Sequence, residues 1–124
     1  MNKKRILIID DENNLTGIMK RNLESTGRYE VYTENAGLPG IAAAKEFKPN
    51  VILLDVMMPG MDGGEVAYQL SKDENTKNIP IIFLTAAILK NEAEKSGKVI
   101  TKHVFLAKPI EIEELTGVIE KCTQ

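Results

Sequence analysis

The sequence predicts an α/β fold, a doubly wound parallel sheet of five strands interleaved with five helices, and three observations carry that expectation. Short apolar runs rich in β-branched residues recur along the chain between turn residues. Segments with helical apolar spacing separate them. Three of the runs are apolar almost throughout, as strands covered by helices on both faces must be.

Strand one is read at 5–9 (Arg-Ile-Leu-Ile-Ile), strand three at 51–54 (Val-Ile-Leu-Leu) and strand four at 79–84 (Ile-Pro-Ile-Ile-Phe-Leu). These three belong in the middle of the sheet. Strand two, at 29–33, alternates polar with apolar, so one of its faces meets water at a sheet edge. The shorter run 103–107 is placed at the opposite edge.

Leu15, Ile18, Met19 and Leu23 define one face of the first helix, which Gly27 can end. The second covers about 39–47, with Pro39 tolerable only in the first turn and Gly40 weakening propensity. Asp62 followed by Glu65 is a capping-box variant opening a third helix, whose buried stripe is Val66 and Leu70. A fourth, around 86–96, has only Ala86, Leu89 and Ala93 for a stripe, so it is expected to pack most weakly and to move. Ile112, Leu115, Ile119 and Cys122 make the fifth. Without repeats or linkers, residues 1–124 read as one domain.

Composition narrows the function. The 124 residues are 43% hydrophobic and 27% charged, with 18 acidic and 16 basic side chains. A formal charge of -2 offers no broad footprint for nucleic acid or acidic lipid, so direct nucleic-acid binding is not expected. Cys122 stands alone, which fits a reducing compartment. Behind the basic start Met1-Asn2-Lys3-Lys4-Arg5, the apolar run is cut short by Asp10 and Asp11, unlike an export signal. No stretch reaches the ~18 apolar residues of a spanning helix. A cytoplasmic chain without membrane insertion is the expectation. Nucleotide loops and paired C-x-x-C are missing, and Asp10–Asn14 lacks the glycine of a calcium loop, Leu15 standing at its sixth position. His103, the single histidine, reads as an edge-strand residue, and Met57, Met58 and Met61 as core filling.

In doubly wound sheets ligands gather outside the carboxyl ends of the strands. Asp10 and Asp11 end strand one, Asp55 ends strand three, Thr85 ends strand four, and Lys108 follows strand five. Three carboxylates at one rim repel each other unless a cation offsets them. Mg²⁺ takes oxygen ligands, keeps several waters and is commonly shared with phosphate oxygens. Lys108 adds a point charge and Thr85 a hydroxyl donor, a set suited to a phosphoryl group.

The segments Ile9-Asp10-Asp11-Glu12, Leu53-Leu54-Asp55-Val56-Met57-Met58-Pro59-Gly60-Met61-Asp62-Gly63, Leu84-Thr85-Ala86 and Ala107-Lys108-Pro109 lie in that order on those elements. In them the chain resembles the receiver domains of two-component response regulators over essentially its whole length. The resemblance implies a flavodoxin-like sheet with strand order 2-1-3-4-5. It implies that Asp55 accepts a phosphoryl group from a sensor histidine kinase or a phosphotransfer protein. By the same resemblance Asp11 binds Mg²⁺ directly, Asp10 mainly through water, and the Met57 backbone carbonyl completes the protein ligands with Asp55. Thr85 and Lys108 take phosphoryl oxygens, and Phe105 occupies the place of the switch aromatic. Its motion would couple Asp55 to a partner-binding surface of helix four, strand five and helix five. Such a chain is a switch acting on a downstream protein more than an enzyme.

Alternatives stay open at this level. The first alternative to a single-domain receiver is a module of a longer regulator or hybrid kinase, and dimerisation of the modified form is undecided. A phosphatase with an aspartyl nucleophile is disfavoured, because Asp10-Asp11-Glu12 lacks Asp-x-Asp spacing. The chain also departs from the family pattern. Residues 96–103 carry a β-branched pair where Gly-Ala is common, and Asn50 replaces an acid. Met57 and Ala87 stand where relatives tune hydrolysis of the acyl phosphate, and neither can orient water. Slow self-dephosphorylation is expected, little changed by Met57→Leu.

Overall fold

The computed structural model describes residues 3–86 and 104–124. Five parallel strands, β1 (Lys4–Ile9), β2 (Tyr29–Glu34), β3 (Val51–Asp55), β4 (Ile81–Ala86) and β5 (Val104–Lys108), form one sheet in the order β2-β1-β3-β4-β5. Four helices accompany them among the described residues: α1 (Asn13–Glu24), α2 (Gly37–Phe47), α3 (Gly63–Lys72) and the C-terminal α4 (Ile112–Cys122). The expected fifth helix is α4. The helix expected around 86–96 lies outside the described residues, apart from Ala86, which belongs to β4 rather than to a helix. Ala87, His103 and the rest of the connection before β5 also lie outside them.

The apolar strand runs supply two cores at once, because alternate side chains leave a strand on opposite faces. Ile6, Ile8, Val51, Leu53, Ile82, Leu84 and Leu106 pack on one face with Met19 and Leu23 of α1 and Leu115 and Ile119 of α4. Leu7, Ile9, Ile52, Leu54 and Phe83 pack on the other with Ala43 and Ala44 of α2 and Val66 and Leu70 of α3. Each such buried side chain contributes roughly 1.5–3 kcal/mol. On β2, Tyr29 and Val31 are buried while Glu30 and Tyr32 are exposed, the alternation expected of an edge.

Boundaries moved where hydrogen bonding decides. β4 begins at Ile81, not at residue 79, because Pro80 has no N–H for a ladder. Its carbonyl still accepts from Ile52 N (3.0 Å), while Ile79 N turns back to Thr76 O (3.0 Å). β5 is shifted by one residue and includes Lys108, which pairs with Ala86. α2 starts two residues before Pro39, with Ala36 as its N-cap. The proline then sits in the first turn, whose N–H groups have no helical acceptor. Gly40 of α2 lies against β1, where an added Cβ would come 2.7 Å from the Ile9 side chain.

One apolar assignment fails. Ile18 is 48% exposed, and the inward face of α1 is Thr16, Met19 and Leu23. Thr16 takes the inward position because its hydroxyl can bond back to Asn13 O (3.0 Å). Asp62 caps α3 as expected, its carboxylate accepting from Glu65 N at 2.9 Å. The chain ends are tied together by Glu120 of α4, which takes Lys4 Nζ at 2.7 Å and the buried Tyr29 hydroxyl at 2.5 Å. No helix among the described residues is long and apolar enough to cross a membrane.

Candidate functional site

The parallel register brings the carboxyl ends of β1, β3, β4 and β5 to one rim. Asp10 follows β1, Asp55 is the last residue of β3, Thr85 is the penultimate residue of β4, and Lys108 is the last of β5. Asp10, Asp55 and Thr85 are buried, whereas Asp11 is exposed at the mouth.

Several hydrogen bonds hold the acids in place. The Asp10 backbone N–H donates to Glu34 O (3.1 Å), and its carbonyl accepts from Asn35 Nδ2 (2.7 Å). Its Oδ1 accepts from Glu12 N (3.0 Å), and its Oδ2 forms an ion pair with Lys108 Nζ at 2.9 Å. Asp55 Oδ1 lies 3.4 Å from the same ammonium and 3.4 Å from Met57 N. Asp10, Asp11 and Asp55 can each offer an oxygen within 4.8 Å of the others, an all-oxygen set matching a hard divalent cation.

Burial, then the charge of Asp10, pushes the Asp55 carboxyl up to about 6, with Lys108 pulling the other way. Burial alone would lower the Lys108 ammonium, but its bond to Asp10 and the nearby Asp55 and Glu12 outweigh that and raise it. Lys108 thus remains charged at neutral pH. The hydroxyl of Thr85 is buried and has no hydrogen-bond partner among the described residues. An orphaned buried donor of this kind costs ~1–3 kcal/mol, and an incoming oxygen would relieve it.

Sequence reasoning missed two contributors. Gly63 presses on the turn that follows β3: a Cβ there would meet the Asp55 carbonyl oxygen at 2.3 Å, and Gly63 N donates to Val56 O at 2.9 Å. Two consecutive glycines opening a helix were the available signal, since propensity alone disfavours them. Glu12 is the second, with Oε1 3.3 Å from Lys108 Nζ. The Lys108–Pro109 peptide bond is cis.

Phe105 is half-buried and stacks on its register partner Phe83, with centroids 5.0 Å apart and planes at 17°. Among the methionines, Met58 is buried and Met61 packs against the core, but Met57 is 62% exposed. Core filling fails for Met57 because its backbone N–H faces Asp55, while its side chain meets solvent.

A family model for the response regulator receiver domain matches residues 6–120. Protein PilH of Pseudomonas aeruginosa is 37% identical over 116 residues, covering 93% of each chain. The transcriptional regulator RpaA of Synechocystis is 37% identical over 111 residues, 90% of this chain but 45% of that protein. The chain thus spans nearly all of one relative and under half of another. Among solved structures, Vibrio cholerae chemotaxis protein CheY4 superposes with a TM-score of 0.80 at 27% identity, covering 98% of this chain and 99% of that one. The receiver domain of the Pseudomonas aeruginosa sensor histidine kinase PA1611, whose active-site cleft coordinates a magnesium ion, gives 0.84 at 26% identity and 98% of both chains. Matched along nearly its entire length, and carrying its acids, hydroxyl and lysine on the expected strand ends, the chain belongs to the response regulator receiver domains of two-component signalling.

Proposed function

We propose that Asp55 is the phosphoacceptor of this receiver domain and that Thr85 and Lys108 bind the transferred group. The observation that carries the reading is the Lys108 ammonium, 3.4 Å from Asp55 Oδ1 inside a buried acid pocket. Asp10, Asp11 and Asp55, with the Met57 backbone carbonyl, would hold Mg²⁺. When bound, the ion supplies positive charge against the acids and the phosphoryl oxygens.

A carboxylate oxygen of Asp55 attacks the phosphorus of a phosphohistidine on a sensor kinase or phosphotransfer protein. The P–N bond breaks, its electron pair leaves with the imidazole nitrogen, and that nitrogen takes up a proton. Lys108 neutralises charge on the phosphoryl oxygens, and Thr85 turns its unpaired hydroxyl onto one of them. Positioning and charge do most of the work, so a shallow pocket suffices.

The new bonds draw on β4 and β5, where Phe105 lies beside Phe83. Phe105 is the element proposed to relay the change to the surface around β5 and α4, where a downstream protein binds. Moving a two-state equilibrium from mostly off to mostly on requires ~5 kcal/mol of differential binding. A few charge-assisted hydrogen bonds in a partly dry pocket are of that order. The domain then acts as a cytoplasmic switch rather than a turnover enzyme, with no direct contact to nucleic acid. Residues 1–124 act as one receiver unit, alone or within a longer regulator. The adduct is expected to be long-lived, and Met57→Leu should change its lifetime by less than about twofold, since neither side chain can hold a water.

The test is intact mass after incubation with acetyl phosphate and Mg²⁺. One phosphate adduct that requires the metal and disappears in Asp55→Asn is the expected result. An adduct that survives in the Asn variant would move the acceptor elsewhere.

A further inference from the structure

Lys108 touches a third carboxylate that the phosphoryl chemistry leaves unused. Glu12 Oε1 lies 3.3 Å from Lys108 Nζ, and the Glu12 side chain is 63% exposed, against 0% for Asp10 and 6% for Asp55. It therefore stands where the pocket opens to solvent. Glu12 occupies the N-cap position of α1, yet its side chain accepts no bond from the helix N–H groups. Its backbone N–H is held by Asp10 Oδ1 at 3.0 Å, which fixes the residue beside the acids.

Among the described residues, Asp10, Asp11, Asp55 and Glu12 around the Lys108 ammonium give the pocket a formal excess of three negative charges. A divalent cation leaves one in excess, and removing Glu12 would leave none. An anionic donor entering the loaded pocket thus meets a net repulsion that loss of Glu12 would remove. The repulsion scales with the donor's own charge. Glu12 also shares the ammonium that must turn to the phosphoryl oxygens, and of the acids paired with Lys108 among the described residues it alone is mostly exposed and has room to swing into solvent.

We propose that Glu12 is a specificity-determining residue of this site, an acid at the mouth that disfavours small, highly charged phosphodonors relative to donors of lower charge. The inference rests on the phosphoacceptor reading of Asp55. With acetyl phosphate, a dianion at neutral pH, an Asp55 oxygen bonds to phosphorus while the bond from phosphorus to the acetyl oxygen breaks and acetate leaves with the electron pair. With phosphoramidate, of net charge one unit smaller, the P–N bond breaks and ammonia leaves.

The experiment compares initial rates of adduct formation from these two donors, followed by intact mass, at saturating Mg²⁺ and at about 20 and 200 mM salt, where screening differs strongly. The proteins are wild type, Glu12→Gln and Glu12→Asp. Glu12→Gln should accelerate reaction with acetyl phosphate roughly three- to tenfold at low salt and with phosphoramidate less than about twofold. High salt should close that gap, and Glu12→Asp, which keeps the charge, should resemble wild type. Equal acceleration with both donors, no acceleration, or a gap that ignores salt would overturn the role of Glu12 alone. No adduct in wild type with either donor would overturn the phosphoacceptor reading and this inference together.

Discussion

Lys108 Nζ lies 3.4 Å from Asp55 Oδ1, although the two residues end strands separated by β4. The same ammonium is 2.9 Å from the wholly buried Asp10, so one cation holds two acids that would otherwise repel each other.

Removing that cation should be costly. Lys108→Met leaves Asp10 and Asp55 buried without their counter-charge, and a broken buried pair typically costs ~3–5 kcal/mol. Partial exposure of Lys108 puts the expected loss nearer 2–4 kcal/mol at pH 7 in chelator, read by urea denaturation. Saturating Mg²⁺ should recover most of it. A loss of stability that Mg²⁺ leaves unchanged would mean that Lys108 acts through packing.

The elevated Asp55 carboxyl makes a pH prediction of definite sign. Its folded value, about 6, stands above the ordinary 3.8, so the native state binds this proton more tightly than the unfolded chain does. Stability from this group is present below the unfolded value and is lost as pH rises through the folded one. In chelator, Asp55→Asn should therefore stabilise the protein at pH 7–8 by about 1–3 kcal/mol, and the gain should vanish by about pH 4. Denaturation curves of both proteins across that range check it, and a gain independent of pH would contradict the electrostatic cause.

Adjacent glycines should behave differently. A Cβ at Gly63 would meet the Asp55 carbonyl oxygen at 2.3 Å, whereas at Gly64 the nearest atom, Asp62 Oδ1, is 3.4 Å away. Gly63→Ala should cost ~1–3 kcal/mol or more and slow adduct formation by displacing Asp55. Gly64→Ala should be neutral or stabilising by up to ~1 kcal/mol, because alanine is the better helix former. Equal effects at both positions would refute the close approach of Gly63 to β3.

Burial, helped by the bond to Glu120, pushes the Tyr29 hydroxyl up to about 12. This phenol should stay protonated well above the pH at which an ordinary phenol ionises, as a spectrophotometric titration would show. Tyr29→Phe should lower stability by ~1.5–3 kcal/mol, the range of a hydrogen bond to a charged group, by loosening α4 from β2.

The sheet order rested on resemblance, but the alternation of strands and helices and the edge character of β2 were legible from residues alone. Continuous apolar runs such as Ile6–Ile9 feed both cores, and only a two-sided sheet can use them. The rim acids, Thr85 and Lys108 were found because strand ends in this topology converge, whatever lies between them in sequence. Ile18 was misread because apolar periodicity takes no account of Thr16, whose hydroxyl bonds to its own helix and can be buried. Gly63 and Glu12 were missed because their roles lie in distances: one is a backbone approach, the other a side chain leaving its helix cap for a distant lysine.

Trapping the product shows whether phosphoryl transfer ends on the buried acid of β3. Borohydride reduction of protein treated with acetyl phosphate and Mg²⁺ converts an aspartyl phosphate to homoserine, and peptide mapping then locates it. Homoserine is expected at position 55 and nowhere else; homoserine at position 10 or 11, or none in protein that carries a phosphate adduct, would rule out Asp55 as the acceptor.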